Sequence, residues 1–155
     1  MAELLTDRHA SVLLAGRYPG LVEGIRGLLA TRFTGIFIVA DETALLHGAR
    51  RIRPALIVMD LSLGSDNVLG RIAELRACVP DVRLIVVSVH DDATIAHAAL
   101  TAGADGIVLK RALGTELLTA VEAVEHGGKF VSRDVWSPAG RTDSVRGCER
   151  DRRQG

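Results

Sequence analysis

Short apolar runs alternate along this chain with stretches in which apolar residues recur every three or four positions. Val12 to Ala15 is a first run, closed by Gly16-Arg17-Tyr18-Pro19, and it predicts a buried strand. Pro19 suits the first turn of a helix, where its missing N–H has no acceptor to serve. Leu21, Val22, Ile25, Leu28 and Leu29 then line one helical face. Ile36 to Ala40 (IFIVA) predicts a second strand, rich in β-branched residues, and Asp41 can cap a helix running through Ala44, Leu45 and Ala49. After Pro54 the run ALIVMD is apolar up to one terminal acid, Asp60, which is the pattern of a central strand covered on both faces. A polar loop follows, then a helix carrying Val68, Leu69, Ile72, Leu75 and Arg76. VRLIVVS predicts a fourth strand ending at Ser88, and HDDATIAHAALTAGA a helix whose acids suit its positive end and whose stop is Gly103. GIVLK predicts a fifth strand ending at Lys110. GTELLTAVEAVEHGG predicts a fifth helix with Leu117, Leu118, Val121 and Val124 inward and Gly127 as its stop. Beyond Phe130 the periodicity dissolves.

Strand and helix alternating in this way predict an α/β fold: a flavodoxin-like, doubly wound, five-stranded parallel sheet of order 2-1-3-4-5 with five helices and right-handed crossovers. The expected organisation is an N-terminal extension at 1–10, one domain at 11–135, and a polar, arginine-rich tail at 136–155 that is expected to be disordered. Chemistry in such a sheet belongs at the carboxyl ends of the strands. Those ends carry Gly16 and Arg17, Asp60, Ser88 and Lys110.

Composition narrows the classes. The 155 residues, 48% hydrophobic and 25% charged, suit one globular domain that needs no staple. With 19 basic and 19 acidic residues the formal net charge is zero, which argues against a broad nucleic-acid footprint, and 3% aromatics are too few for a base-stacking surface. Cys78 and Cys148 have no metal-ligand spacing and read as incidental thiols of a reducing compartment. The first ten residues lack a long apolar core, and no apolar run reaches the roughly 18 residues a bilayer needs. The chain is therefore expected to be cytoplasmic, with no membrane partner. His90, Asp91, Asp92 and His97 do not set both histidines on one helical face at adjacent turns; they read as a solvated helix start, and no metal site is expected.

Asp60, Ser88 and Lys110 gain meaning together. A carboxylate at a strand end can act as a nucleophile toward phosphorus. A hydroxyl and an ammonium beside it can hold phosphoryl oxygens, where negative charge needs stabilising. From IVMDLSLG, VVSVHDD and AGADGIVLK, the stretch Ser11 to Ser132 resembles the receiver domain of bacterial two-component response regulators. ELLTAVEAVEHGGKFVS also resembles the last helix and exit of receivers that precede a helix-turn-helix output domain. The resemblance implies a phospho-acceptor at Asp60, a switch hydroxyl at Ser88 and a phosphate-contacting lysine at Lys110. It implies a histidine kinase or other signalling protein as partner, Mg²⁺ as the cofactor of the family, and a homodimer through the fourth helix, fifth strand and fifth helix.

The chain departs from that family where the first strand ends. The resemblance calls for a pair of acids there to hold Mg²⁺, and Gly16 and Arg17 occupy the positions. Mg²⁺ demands near-octahedral oxygen ligation and dehydrates reluctantly, so its binding is expected to be weak or absent and phosphorylation much slower or lost. Gly64 and Val68 stand where the family has proline and glycine after the acceptor, and Ile107 stands where it has an aromatic switch residue. Two arrangements remain open for Arg17. Either it joins Lys110 in a permanent ion pair with Asp60, or it points to solvent beside a degenerate pocket. The expected function is a degenerate receiver, not an enzyme, that acts by protein–protein contact. The alternative is a flavin- or nucleotide-binding protein on the same sheet, although no G-x-G-x-x-G follows the first strand. The chain leaves no length for a helix-turn-helix, so nucleic acid is not an expected partner.

Overall fold

In the computed structural model, which describes residues 11–63 and 67–135, the elements alternate strictly. Strand β1 (Ser11–Ala15) leads to α1 (Pro19–Leu29), and β2 (Gly35–Val39) to α2 (Glu42–Ile52). Strand β3 (Leu56–Asp60) passes through a 3-10 turn (Leu61–Leu63) to α3 (Val68–Cys78), and β4 (Arg83–Ser88) runs to α4 (Ala93–Ala102). Strand β5 (Gly106–Leu109) passes through a second 3-10 turn (Lys110–Ala112) to α5 (Leu113–Glu125), and a short β6 (Phe130–Val131) follows. All pairings are parallel, in the order β2-β1-β3-β4-β5-β6.

The pleat divides the apolar residues of the central strands between two cores. Leu13, Ala15, Ile57, Met59, Leu84, Val86 and Ile107 pack with Leu45 and Ala49 of α2, Ile72 and Leu75 of α3, and Ala96 and Ala99 of α4. Val12, Leu14, Leu56, Val58, Ile85, Val87 and Val108 pack with Val22, Ile25 and Leu29 of α1 and Leu117, Ala120, Val121 and Val124 of α5. Two buried faces are why β3 and β4 read as unbroken apolar runs. Each fully buried Leu, Ile or Val contributes about 1.5–3 kcal/mol, so these layers, and not the polar rim, hold the fold.

The helix ends follow their capping residues. Asp41 accepts from the Ala44 N–H at 2.8 Å and Asp92 from the Thr94 N–H at 2.7 Å. Gly103 closes α4 at φ 131°, a conformation that a side chain would strain.

Two expectations need correction. Among the described residues the sheet has six strands rather than five: β6 pairs Phe130 with Gly106 and Val131 with Ile107. It is two residues long, too short for any periodicity to announce it. Strand β5 stops at Leu109, so Lys110 opens the following turn instead of ending the strand. The proposed extension at 1–10, the tail at 136–155 with Trp136 and Cys148, and Gly64 lie outside the described residues.

Candidate functional site

Asp60 is the last residue of β3 and only 2% exposed, because helices cover both faces of its strand. Its Oδ1 accepts from the Ser62 N–H at 3.0 Å, which fixes the carboxylate against the turn that follows. Lys110 comes from the far side of β4 and brings Nζ to 3.2 Å from Oδ2. That is ion-pair distance, but the approach lacks hydrogen-bond geometry, so the buried Oδ2 has no hydrogen-bond donor among the described residues. The Lys110 ammonium also lies 5.7 Å from the centre of the Tyr18 ring, within cation–π range.

The other rim residues do not join this pair. The Ser88 hydroxyl is occupied by its own loop, accepting from the His90 N–H at 2.9 Å, and among the described residues it bonds to neither Asp60 nor Lys110. Its backbone does sit at the same rim, since Asp60 pairs with Val87 and Ser88 with Leu109. Arg17 forms no ion pair with Asp60 among the described residues. Its exposed guanidinium donates from Nη1 to the Leu63 carbonyl at 3.3 Å, bracing the turn after Asp60. The two alternatives for Arg17 thus give way to a third arrangement, on the surface yet tethered. Gly16 is buried, and a Cβ built there would meet Val22 Cγ2 at 2.8 Å. An acidic side chain at this position would have to displace a short, branched neighbour. Ile107 is 2% exposed and lies in the core beneath α4, while Val68 begins α3 and packs partly against the same core. Of the histidine and acid cluster, Asp91 pairs with Arg111 at 3.3 Å and Asp92 serves as the cap.

Residues 12–122 match the family described as the response regulator receiver domain. This chain belongs to that family. The methanol utilization control regulatory protein MoxX of Paracoccus denitrificans is 31% identical over 128 residues, covering 80% of this chain and 57% of MoxX. A two-component response regulator of the LuxR family from Aurantimonas sp. SI85-9A1 superposes with a TM-score of 0.77 at 26% identity, covering 88% of this chain and 97% of that one. RcsB of Salmonella enterica serovar Typhimurium, bound to a promoter in the presence of the phosphomimetic BeF3-, gives 0.70 at 27% identity over 83% of this chain and 65% of that one. The chain spans about three fifths of the length of the curated relatives it matches. Membership makes it a two-component signalling receiver and leaves the flavin- or nucleotide-binding alternative without support. The expectation that nucleic acid is no partner also finds no support, since the RcsB relative was captured on a promoter.

The magnesium cradle implied by the family can be tested against the residues of this receiver. Asp60 Oδ2 is one buried oxygen without a hydrogen-bond donor among the described residues, already faced by the Lys110 ammonium at 3.2 Å. Gly16 has no side chain and its Cβ space is filled by Val22, and Arg17 brings a cation. No group of three or more His, Cys, Asp or Glu side chains able to hold a metal ion occurs among the described residues. The donor set does not fit an ion that needs about six oxygens and keeps several of its waters.

Two features of the site were not anticipated from sequence. Tyr18 precedes Pro19, and nothing local links it to a lysine 92 positions on. Glu116 is 7% exposed in α5, where its carboxylate accepts from the Ser132 hydroxyl through Oε1 and from the Arg133 N–H at 3.2 Å through Oε2. Ser132 Oγ in turn accepts from the Leu109 N–H at 3.0 Å, so the residue just before Lys110 is tied to the chain's exit from β6. Helical spacing from Leu113 and Ala120 puts Glu116 on the inward face, which was the available signal.

Proposed function

We propose that this receiver signals through the surfaces it presents to other proteins, with Lys110 supplying the charge neutralisation that a metal-bound aspartate would otherwise require. The observation that carries the reading is the ammonium 3.2 Å from the buried Asp60 carboxylate. The closed Gly16 position supports a reading in which the metal route is weak or absent. In this reading Asp60 keeps the acceptor position, Lys110 the phosphate-contacting position and Ser88 the switch position. A histidine kinase or other signalling protein is the partner, and no substrate is turned over. Self-association through α4, β5 and α5 belongs to the same proposal. Residence in the cytoplasm fits the family and the fact that no helix among the described residues is long and apolar enough to cross a membrane. A role in transcriptional control follows from the relatives named as regulatory proteins, for the polypeptide that carries this receiver.

Intact mass after incubation with a small phosphodonor and Mg²⁺ tests the reading. The expected result is little or no adduct on the unmodified chain, and a rise in Mg²⁺ affinity of roughly tenfold, about 1.4 kcal/mol, in Arg17→Asp. Position 17 is the informative one because it is exposed, whereas Gly16→Asp would strain against Val22. Stoichiometric, Mg²⁺-dependent adduct on the unmodified chain, lost in Asp60→Ala, would overturn the proposal.

A further inference from the structure

We propose that the open edge of β2 is a self-pairing strand, through which two copies of this receiver join their sheets antiparallel about a two-fold axis at Phe37. Strand β2 is terminal in the sheet formed by the described residues. Its sequence, GIFIV, holds no charge and no proline, so it lacks the devices by which edge strands normally avoid pairing. Phe37 is 47% and Ile38 44% exposed, and neither packs against either core. Being consecutive, they leave apolar surface on both faces of the edge.

The backbone polarity fixes the register. The Val39 carbonyl accepts from the Gly16 N–H at 3.1 Å, so Val39 turns its polar groups toward β1. Alternation then turns those of Phe37 and Gly35 inward and those of Ile36 and Ile38 outward. With a two-fold axis at Phe37, Ile36 of one copy faces Ile38 of the other. Each such pair exchanges both its hydrogen bonds, and all four outward groups are satisfied. Phe37 then faces Phe37 of the second copy in the close, non-hydrogen-bonded position, where Cα atoms stand about 4.5 Å apart and aromatic pairs stabilise a sheet. The charges that flank the strand are engaged within one copy, Arg32 with Glu125 at 2.7 Å and Glu42 with Arg71 at 3.4 Å, so the pairing draws on the backbone and the apolar side chains. A second copy therefore satisfies backbone and side chains together, and the interface is isologous. This inference does not rest on the reading of Asp60, and it uses the edge of the sheet away from α4, β5 and α5.

The test is cross-linking in a full chain carrying Cys78→Ser and Cys148→Ser. Phe37→Cys in that background is expected to give a disulfide-linked dimer on mild oxidation, because the paired Cα separation falls within the disulfide range. Ile38→Cys is expected to give little, since its side chain lies on the other face opposite Ile36. Adding Ile38→Pro, which removes an outward N–H, is expected to abolish the Phe37→Cys product. Sedimentation of the unmodified chain should show a weight-average mass rising with concentration, and Phe37→Lys should reduce that rise by removing the β2 contact while leaving any association through α4, β5 and α5 in place. No cross-link at position 37, an equal yield at position 38, or self-association unchanged by Phe37→Lys would overturn the proposal. The cysteine arm stands alone if the lysine variant fails to fold by circular dichroism.

Discussion

The centre of this receiver is one carboxylate and one ammonium, and their surroundings decide what the pair is worth. Asp60 is 2% exposed and the Lys110 side chain 23%, so the pair is desolvated on one side only. Forming it from water gains little net stability, but removing one partner strands a buried charge. Lys110→Met is therefore expected to cost about 2 kcal/mol in urea unfolding, less than the roughly 3–5 kcal/mol of fully buried pairs. Adding Asp60→Asn should recover much of that loss, and a double-mutant cycle would measure the coupling. If the two substitutions simply add, Lys110 is not neutralising Asp60. At this scale the sequence was a partial guide. Asp60, ending β3, and Lys110, one residue past β5, closed apolar runs and could be named, but the tether from Arg17 to Leu63 and the turn of Ser88 toward His90 depend on side-chain torsions that no spacing encodes.

Elements with strong local signals formed as their residues dictate. Asp92, in an extended conformation, caps α4 from an exposed position, so Asp92→Ala is expected to cost about 1 kcal/mol in thermal or urea unfolding while leaving the core intact. An unchanged midpoint would show that the cap bond contributes nothing. Helix α1 begins differently. Tyr18 at its N-cap makes no side-chain cap bond, and Pro19 sets the first turn instead. That leaves the Tyr18 ring free to lie near Lys110. Strand β6 is the opposite case: its two residues become a strand only because the edge of β5 is there to pair with them, and Gly127, at φ 87°, turns the chain toward it.

At the scale of the molecule, the end of the sheet away from Asp60 is held by another buried acid. Asp105 accepts from Arg76 at 2.7 Å, Lys129 at 2.9 Å and the Leu84 N–H at 2.9 Å, joining the end of α3, the start of β4 and the segment after α5. Burial pushes its carboxyl up, but Lys129, the Leu84 N–H and Arg76 together outweigh burial and hold it below the ordinary 3.8. A carboxyl lowered on folding stabilises fully above its unfolded value and loses that contribution as the pH falls through the folded value. Stability from this clamp should thus be flat above about pH 5 and fall below about pH 4. Asp105→Asn should lower stability near neutral pH by about 1–3 kcal/mol and flatten the acid limb measured by urea midpoints. An acid limb identical in the variant would assign that pH dependence to other groups.

The alternation of apolar runs and helical faces was enough to determine the order of strands and helices, the doubly covered sheet and the rim at which Asp60 stands, because burial on one or two faces writes its period directly into the chain. The same residues already showed that no acid occupies positions 16 and 17. Only the tertiary structure decided that Lys110 and not Arg17 meets Asp60, that Val22 fills the space beside Gly16, that a sixth strand closes one edge and that Phe37 and Ile38 are left bare on the other. Those outcomes depend on segments tens of residues apart meeting in space, and a local pattern records which face of an element is buried without recording what it is buried against.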